Sequence, residues 1–134
     1  MKRQNIQPEA LAQRIVNGQT LYSHVVVVEG GRRTIFISGQ VPRDKNGNTV
    51  GKGDMAAQIR QVGENIKTAL QAAGATLADV VRTTTYVTDM NEFFKHVDVR
   101  MKYFGALPTS TTVEVRKLAD PDFMVEIEAM AIGE

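Results

Sequence analysis

The sequence contains no cysteine. That alone excludes disulfide scaffolds, thiol nucleophiles and zinc–thiolate centres. Histidine is scarce: His24 and His96 are the only two. Neither has a second ligand at helical or strand spacing, so no metal site is expected. Neither sign of charge is in excess. Lys plus Arg number 16 and Asp plus Glu 15, a net charge of +1. That balance, with no basic–aromatic surface, gives no reason to expect nucleic acid as a partner. No apolar run approaches the roughly 18 residues of a membrane span. Met1 to Asn5 is not followed by an apolar stretch of signal length. A cytoplasmic protein without membrane contact is the expectation.

Two motifs are present only in part. Gly47 to Gly53 looks like a phosphate loop, but it is one residue short between its glycines and ends in Gly53 instead of Ser or Thr. It reads as a flexible loop. Ser38 precedes Gly39, yet the Gly-x-Ser-x-Gly elbow of a serine nucleophile is missing. No cofactor is expected from any pattern in the chain.

What remains is an ordinary globular composition, 43% apolar over 134 residues. That length suits one domain, residues 1–134, able to bury a core. No linker or repeat divides it. Residues 1–18 are polar and read as an extended arm with a turn near Pro8 to Gln13. Tyr22–Val28 and Thr34–Ser38 read as strands, joined as a hairpin by Glu29-Gly30-Gly31-Arg32. Asp54 is a candidate N-cap. After it, Met55, Ile59, Val62, Ile66 and Leu70 follow at spacings of four, three, four and four, one face of a helix. Gly74 suits its C-terminal stop. Val80–Thr88 is β-branched and aromatic, a strand. Asp89 or Asn91 caps a second helix with the face Phe93, Phe94, Val97, Met101 and Phe104. Thr111–Arg116 and Phe123–Ile132 read as the last two strands.

The fold class is therefore α+β, with two helices on one face of a mixed sheet. Alternation along the last strand puts Glu126 and Glu128 on one face with Met124 and Met130. Val125, Ile127, Ala129 and Ala131 point to the other, towards the helices. A second subunit is expected to cover the carboxylate face. A carboxylate on such a half-covered face can position or deprotonate a water, or it can simply pair with a neighbouring cation.

Several segments together resemble the RidA/YjgF family, also called L-PSP endoribonucleases, from about Tyr22 to Ile132. They are Tyr22-Ser23, the signature Ile37-Ser38-Gly39-Gln40-Val41-Pro42, Ala72-Ala73-Gly74-Ala75, Val80 to Val87, and Val125-Glu126-Ile127-Glu128-Ala129-Met130-Ala131. The resemblance implies a chorismate-mutase-like fold and a homotrimer with clefts between subunits. It implies that those clefts bind small carboxylates, and that active members hydrolyse enamines and imines of 2-keto acids without metal or organic cofactor. It carries the catalytic glutamate onto Glu126, and the substrate-binding tyrosine and serine-glycine pair onto Tyr22, Ser38 and Gly39.

One residue departs from the pattern. The family's Pro-x-Arg-Ser/Thr-x-Val-x-Val places an arginine that grips the substrate carboxylate. Here the segment is Pro108-Thr109-Ser110-Thr111-Thr112-Val113-Glu114-Val115. A hydroxyl offers neither the charge nor the planar fork of a guanidinium. Two functions follow. One is an imine or enamine deaminase of altered specificity, with Arg82 or Arg116 standing in for the missing group. The other is a non-enzymatic trimer whose cleft, lined by Ser110, Thr111 and Thr112, holds a small molecule. Endoribonuclease activity rests on the family's name only.

Overall fold

Met55–Ala72 forms helix α1 of a computed structural model that describes all residues, Met1–Glu134. The Asp54 carboxylate accepts the Ala57 amide at 3.1 Å and caps it. Met55, Ile59, Val62, Ile66 and Leu70 are all buried. Each contributes roughly 1.5–3 kcal/mol by leaving water. Gly74, at φ 72°, turns the chain out of the helix in the left-handed region that glycine accepts without cost.

In chain order the other elements are β1 (Lys2–Ile6), β2 (Ile15–Val16), β3 (Gln19–Thr20), β4 (Val25–Glu29) and β5 (Arg33–Gln40) before α1, then β6 (Val80–Val87), α2 (Met90–Phe94), α3 (Val97–Met101), β7 (Thr109–Glu114) and β8 (Val125–Gly133). One mixed sheet has the order β5-β8-β6-β7, with β6 and β7 parallel and the other pairs antiparallel. The parallel pair needs a crossover, and α2 and α3 lie within it. The helices cover the face that carries Val125, Ile127, Ala129 and Ala131, as alternation along the last strand requires.

Two local expectations do not hold. Gly30, at φ 76°, does turn the chain, but β4 and β5 do not pair as a hairpin. β4 runs antiparallel to β1, from Lys2 opposite Glu29 to Ile6 opposite Val25. β5 pairs instead with β8. A glycine turn fixes where the chain bends; it does not choose the partner. The start of the expected arm is thus a strand, held by long-range bonds. Arg3 donates to the carbonyls of Ala78, Val80 and Ala106.

The expected second helix is also two short ones. His96 sits between them at φ −121° and ψ 30°, outside the helical region. The break sets the inward face as Phe93, Val97, Arg100 and Phe104, each no more than 3% exposed. Met101 is only half-buried. An arginine has taken the core-facing position.

Candidate functional site

Strand alternation sorts the candidate residues onto two faces of the sheet. Thr83, Thr85 and Val87 of β6 are buried on the helix side, while Arg82, Thr84 and Tyr86 face the other way. In register, Ser110 lies beside Thr83 and Thr112 beside Thr85, so both share the helix side. Thr111 lies beside Thr84 on the open face. Glu126 lies opposite Tyr86 and Glu128 opposite Thr84, also on the open face.

On the open face the β5–β8 register shifts between Ile37 and Gln40, a bulge formed by Ser38 and Gly39. Bulges re-aim the strand locally. Here the bulge brings the Gly39 backbone against the Glu126 side chain, so close that a methyl group on Gly39 would collide with the carboxylate. Ser38 lines an adjoining cavity of about 350 Å³ with Arg82, Thr84, Glu128 and Met130. The two carboxylates are not equivalent. Glu128 accepts the Tyr86 hydroxyl at 2.9 Å, and that bond holds the phenol above its usual pKa. Glu126 has no such partner and is the half-buried one of the pair.

On the helix side, Tyr22, Ser110 and Thr112 line a cavity of about 460 Å³ whose other walls include Leu21, Phe93 and Phe94. Tyr22 is positioned by the N-terminal strand. The Gln7 side chain donates to the Tyr22 carbonyl at 2.6 Å and accepts the His24 amide at 2.9 Å. Asn5 donates to the Ser23 hydroxyl at 3.0 Å. Three polar groups absent from the sequence-based site also line this cavity: Arg14, Asn91 and Arg100. Arg100 donates to the Ser110 hydroxyl at 3.0 Å and to the Leu21 carbonyl at 2.9 Å. Burial lowers its pKa to about 10, which still leaves it charged at neutral pH. Arg14 lies 4.2 Å above the Phe94 ring.

Neither arginine named from the sequence reaches Ser110. Arg82 lines the open-face cavity, and Arg116 is exposed just beyond β7. The histidines are engaged elsewhere, His24 with the Ala12 carbonyl at 2.9 Å and His96 with Glu92 at 3.2 Å.

Comparison with known proteins is decisive on kinship. The profile of the family described as endoribonuclease L-PSP matches residues 13–133. The chain belongs to the endoribonuclease L-PSP (RidA/YjgF) family. A RutC family protein of Pyrococcus horikoshii is 46% identical over 101 residues, covering 75% of this chain and 79% of the relative. The 2-iminobutanoate/2-iminopropanoate deaminase of Salmonella typhimurium is 36% identical over 102 residues, covering 73% and 78%. Among solved structures, the Rid family protein YyfB of Yersinia pestis, described as of unknown function, matches with a TM-score of 0.83 at 36% identity, covering 98% and 99% of the two chains.

Within this L-PSP family member, the helical spacing is compatible with Arg100 as well as with Met101 on the inward face, and it does not choose between them. Phe93, Val97, Arg100 and Phe104 follow at spacings of four, three and four, which would put a charge on an apolar stripe. Arg14 and Asn91 carried no comparable signal. They reach the cavity from a loop and from the start of α2.

Proposed function

We propose that this chain assembles as a homotrimer and hydrolyses the imines or enamines of small 2-keto acids in clefts shared by adjacent copies. In each cleft one protomer supplies the ligand side, with Tyr22, Ser110 and Thr112. The next supplies Ser38, Gly39, Thr111 and the catalytic Glu126. The reaction balances with water alone. The Glu126 carboxylate takes a proton from a water as its oxygen adds to the imine carbon. That proton passes to the nitrogen, the proton of the new hydroxyl follows it by way of Glu126, and the carbon–nitrogen bond breaks as the carbonyl forms, so that keto acid and ammonia leave. Glu126 ends as it began.

The observation that carries this reading is the separation of the two groups. A carboxylate able to act on water and a cation able to hold a carboxylate substrate lie on opposite faces of one sheet. One copy alone cannot offer both to one small molecule. A ring of identical copies can, because a contact between unlike faces closes when the rotation is right. The deaminase named among the relatives supports the same chemistry.

The test is the rate of loss of 2-iminopropanoate generated in situ, with wild type and Glu126→Gln. Acceleration by wild type and its loss in the variant is the expected result. A wild type that binds 2-keto acids without accelerating the loss would leave the binding protein as the function. Solution mass should correspond to three copies of the 14.7 kDa chain, about 44 kDa. A monomer would refute the shared cleft.

A further inference from the structure

Arg100 is a cation buried without a counter-charge. It is 3% exposed. Its protein acceptors are the Leu21 carbonyl, the Ser110 hydroxyl and the Met101 sulfur at 3.1 Å, and all are neutral. A guanidinium has five N–H donors. At least two therefore lack a protein acceptor, in a side chain that lines a cavity. No Asp or Glu lines that cavity, and its second charged wall residue is Arg14. Burying an ion is costly unless a partner of opposite charge completes it. The site is thus positive and short of acceptors, and an anion supplies both needs.

We infer that Arg100, on α3, is the anchor for the ligand's carboxylate, with Ser110 as its positioning residue. This rests on reading the Tyr22–Thr112 cavity as the ligand half of the cleft. The guanidinium has been moved from strand β7 to the facing helix, and Ser110 is the small residue that makes room for it. The Ser110 oxygen accepts from Arg100, so its own hydrogen is free to point at the ligand. Leu21, Phe93, Phe94 and Met90 form the apolar walls. The ligand class is a small 2-oxo or 2-imino acid with one carboxylate and an aliphatic side chain.

The transposition makes a specific prediction about Ser110→Arg. Restoring the family's residue alone sets a second guanidinium beside Arg100. Like charges repel in a buried site, so this variant should bind ligand more weakly than wild type. Pairing it with Arg100→Met removes the clash and should recover binding.

The experiment is isothermal titration of the full-length protein with 2-oxobutanoate and with its neutral amide, 2-oxobutanamide. Wild type should bind the acid roughly tenfold or more tightly than the amide, the preference of a charge-assisted contact. Arg100→Met should weaken the acid by roughly 10- to 100-fold and erase that preference. Arg100→Lys should retain part of it. Equal binding of acid and amide by wild type would overturn the inference, as would unchanged binding in Arg100→Met or no binding of either compound. Should Arg100→Met fail to fold, the acid–amide pair on wild type decides. The two proposals fail separately. Acid binding through Arg100 without imine turnover sinks the deaminase reading alone. Imine turnover with equal KM in wild type and Arg100→Met sinks the anchor alone.

Discussion

The open face of the sheet and its helix side carry different chemistry in a chain of 134 residues. The first presents Glu126 and Glu128 around the Ser38-Gly39 bulge, with the Tyr86 hydroxyl on Glu128. The second presents Arg100 and Arg14 over an apolar floor of phenylalanines. The strands that build both are the same ones, and alternation sends successive side chains to different solvents. On the open side the charges stay near water. On the helix side the packing that buries Phe93 and Phe104 also buries Arg100, which raises the cost of leaving it unpaired. Under the proposed function the two faces take separate tasks, one acting on water and one on an anion, and contact between copies would join them.

That division can be broken in order of size. Glu126→Gln should lower turnover by roughly 10²- to 10⁴-fold, the usual worth of a positioned base. Its affinity for 2-oxobutanoate by titration should not change. Loss of affinity instead would assign Glu126 to binding and erase the contrast between the faces. Mixing is the next test. Glu126→Gln and Arg100→Met subunits, each impaired alone, should regain activity when unfolded and refolded together. About a quarter of clefts would pair an intact helix side with an intact open face if assembly is random. No recovery would mean that both groups act within one copy.

Gly39→Ala should be milder. Its methyl group would displace the Glu126 carboxylate, and turnover should fall roughly tenfold through misplacement. Smallest is Tyr86→Phe. The bond to Glu128 raises the Tyr86 pKa above its ordinary 10.0. Between that value and the raised one the folded state holds a proton that the unfolded state has released. The stability from this group is therefore complete below pH 10 and is lost as pH rises through the folded pKa. Melting temperatures of wild type and Tyr86→Phe should converge as pH rises through that raised value. A gap that persists there would place the effect in packing.

Much of the scaffold was legible because its signals are local. The spacing of Met55, Ile59, Val62, Ile66 and Leu70, the cap at Asp54 and the stop at Gly74 each depend on a few neighbours. The alternation in β8 reads the same way. The pairing of β4 with β1 was not legible, because strand partners are chosen by whole-molecule packing and the turn at Gly30 suits either outcome. The split of the second helix at His96 was hidden likewise. The apolar spacing runs on through the break, and only docking shows that the inward residue is Arg100 and not Met101.

The α+β class, the family, the long helix and the absence of the expected arginine at Ser110 were all readable from the residues. These follow from short-range periodicity and from residue identity. Tertiary structure alone decided which guanidinium stands at that gap. Arg100 lies ten residues away in the chain and on another element, and its 3.0 Å bond to Ser110 exists only because α3, packed against α1, brings that side chain to β7. A substitution can be read from one position. What replaces the lost group depends on which side chains folding brings within hydrogen-bond reach.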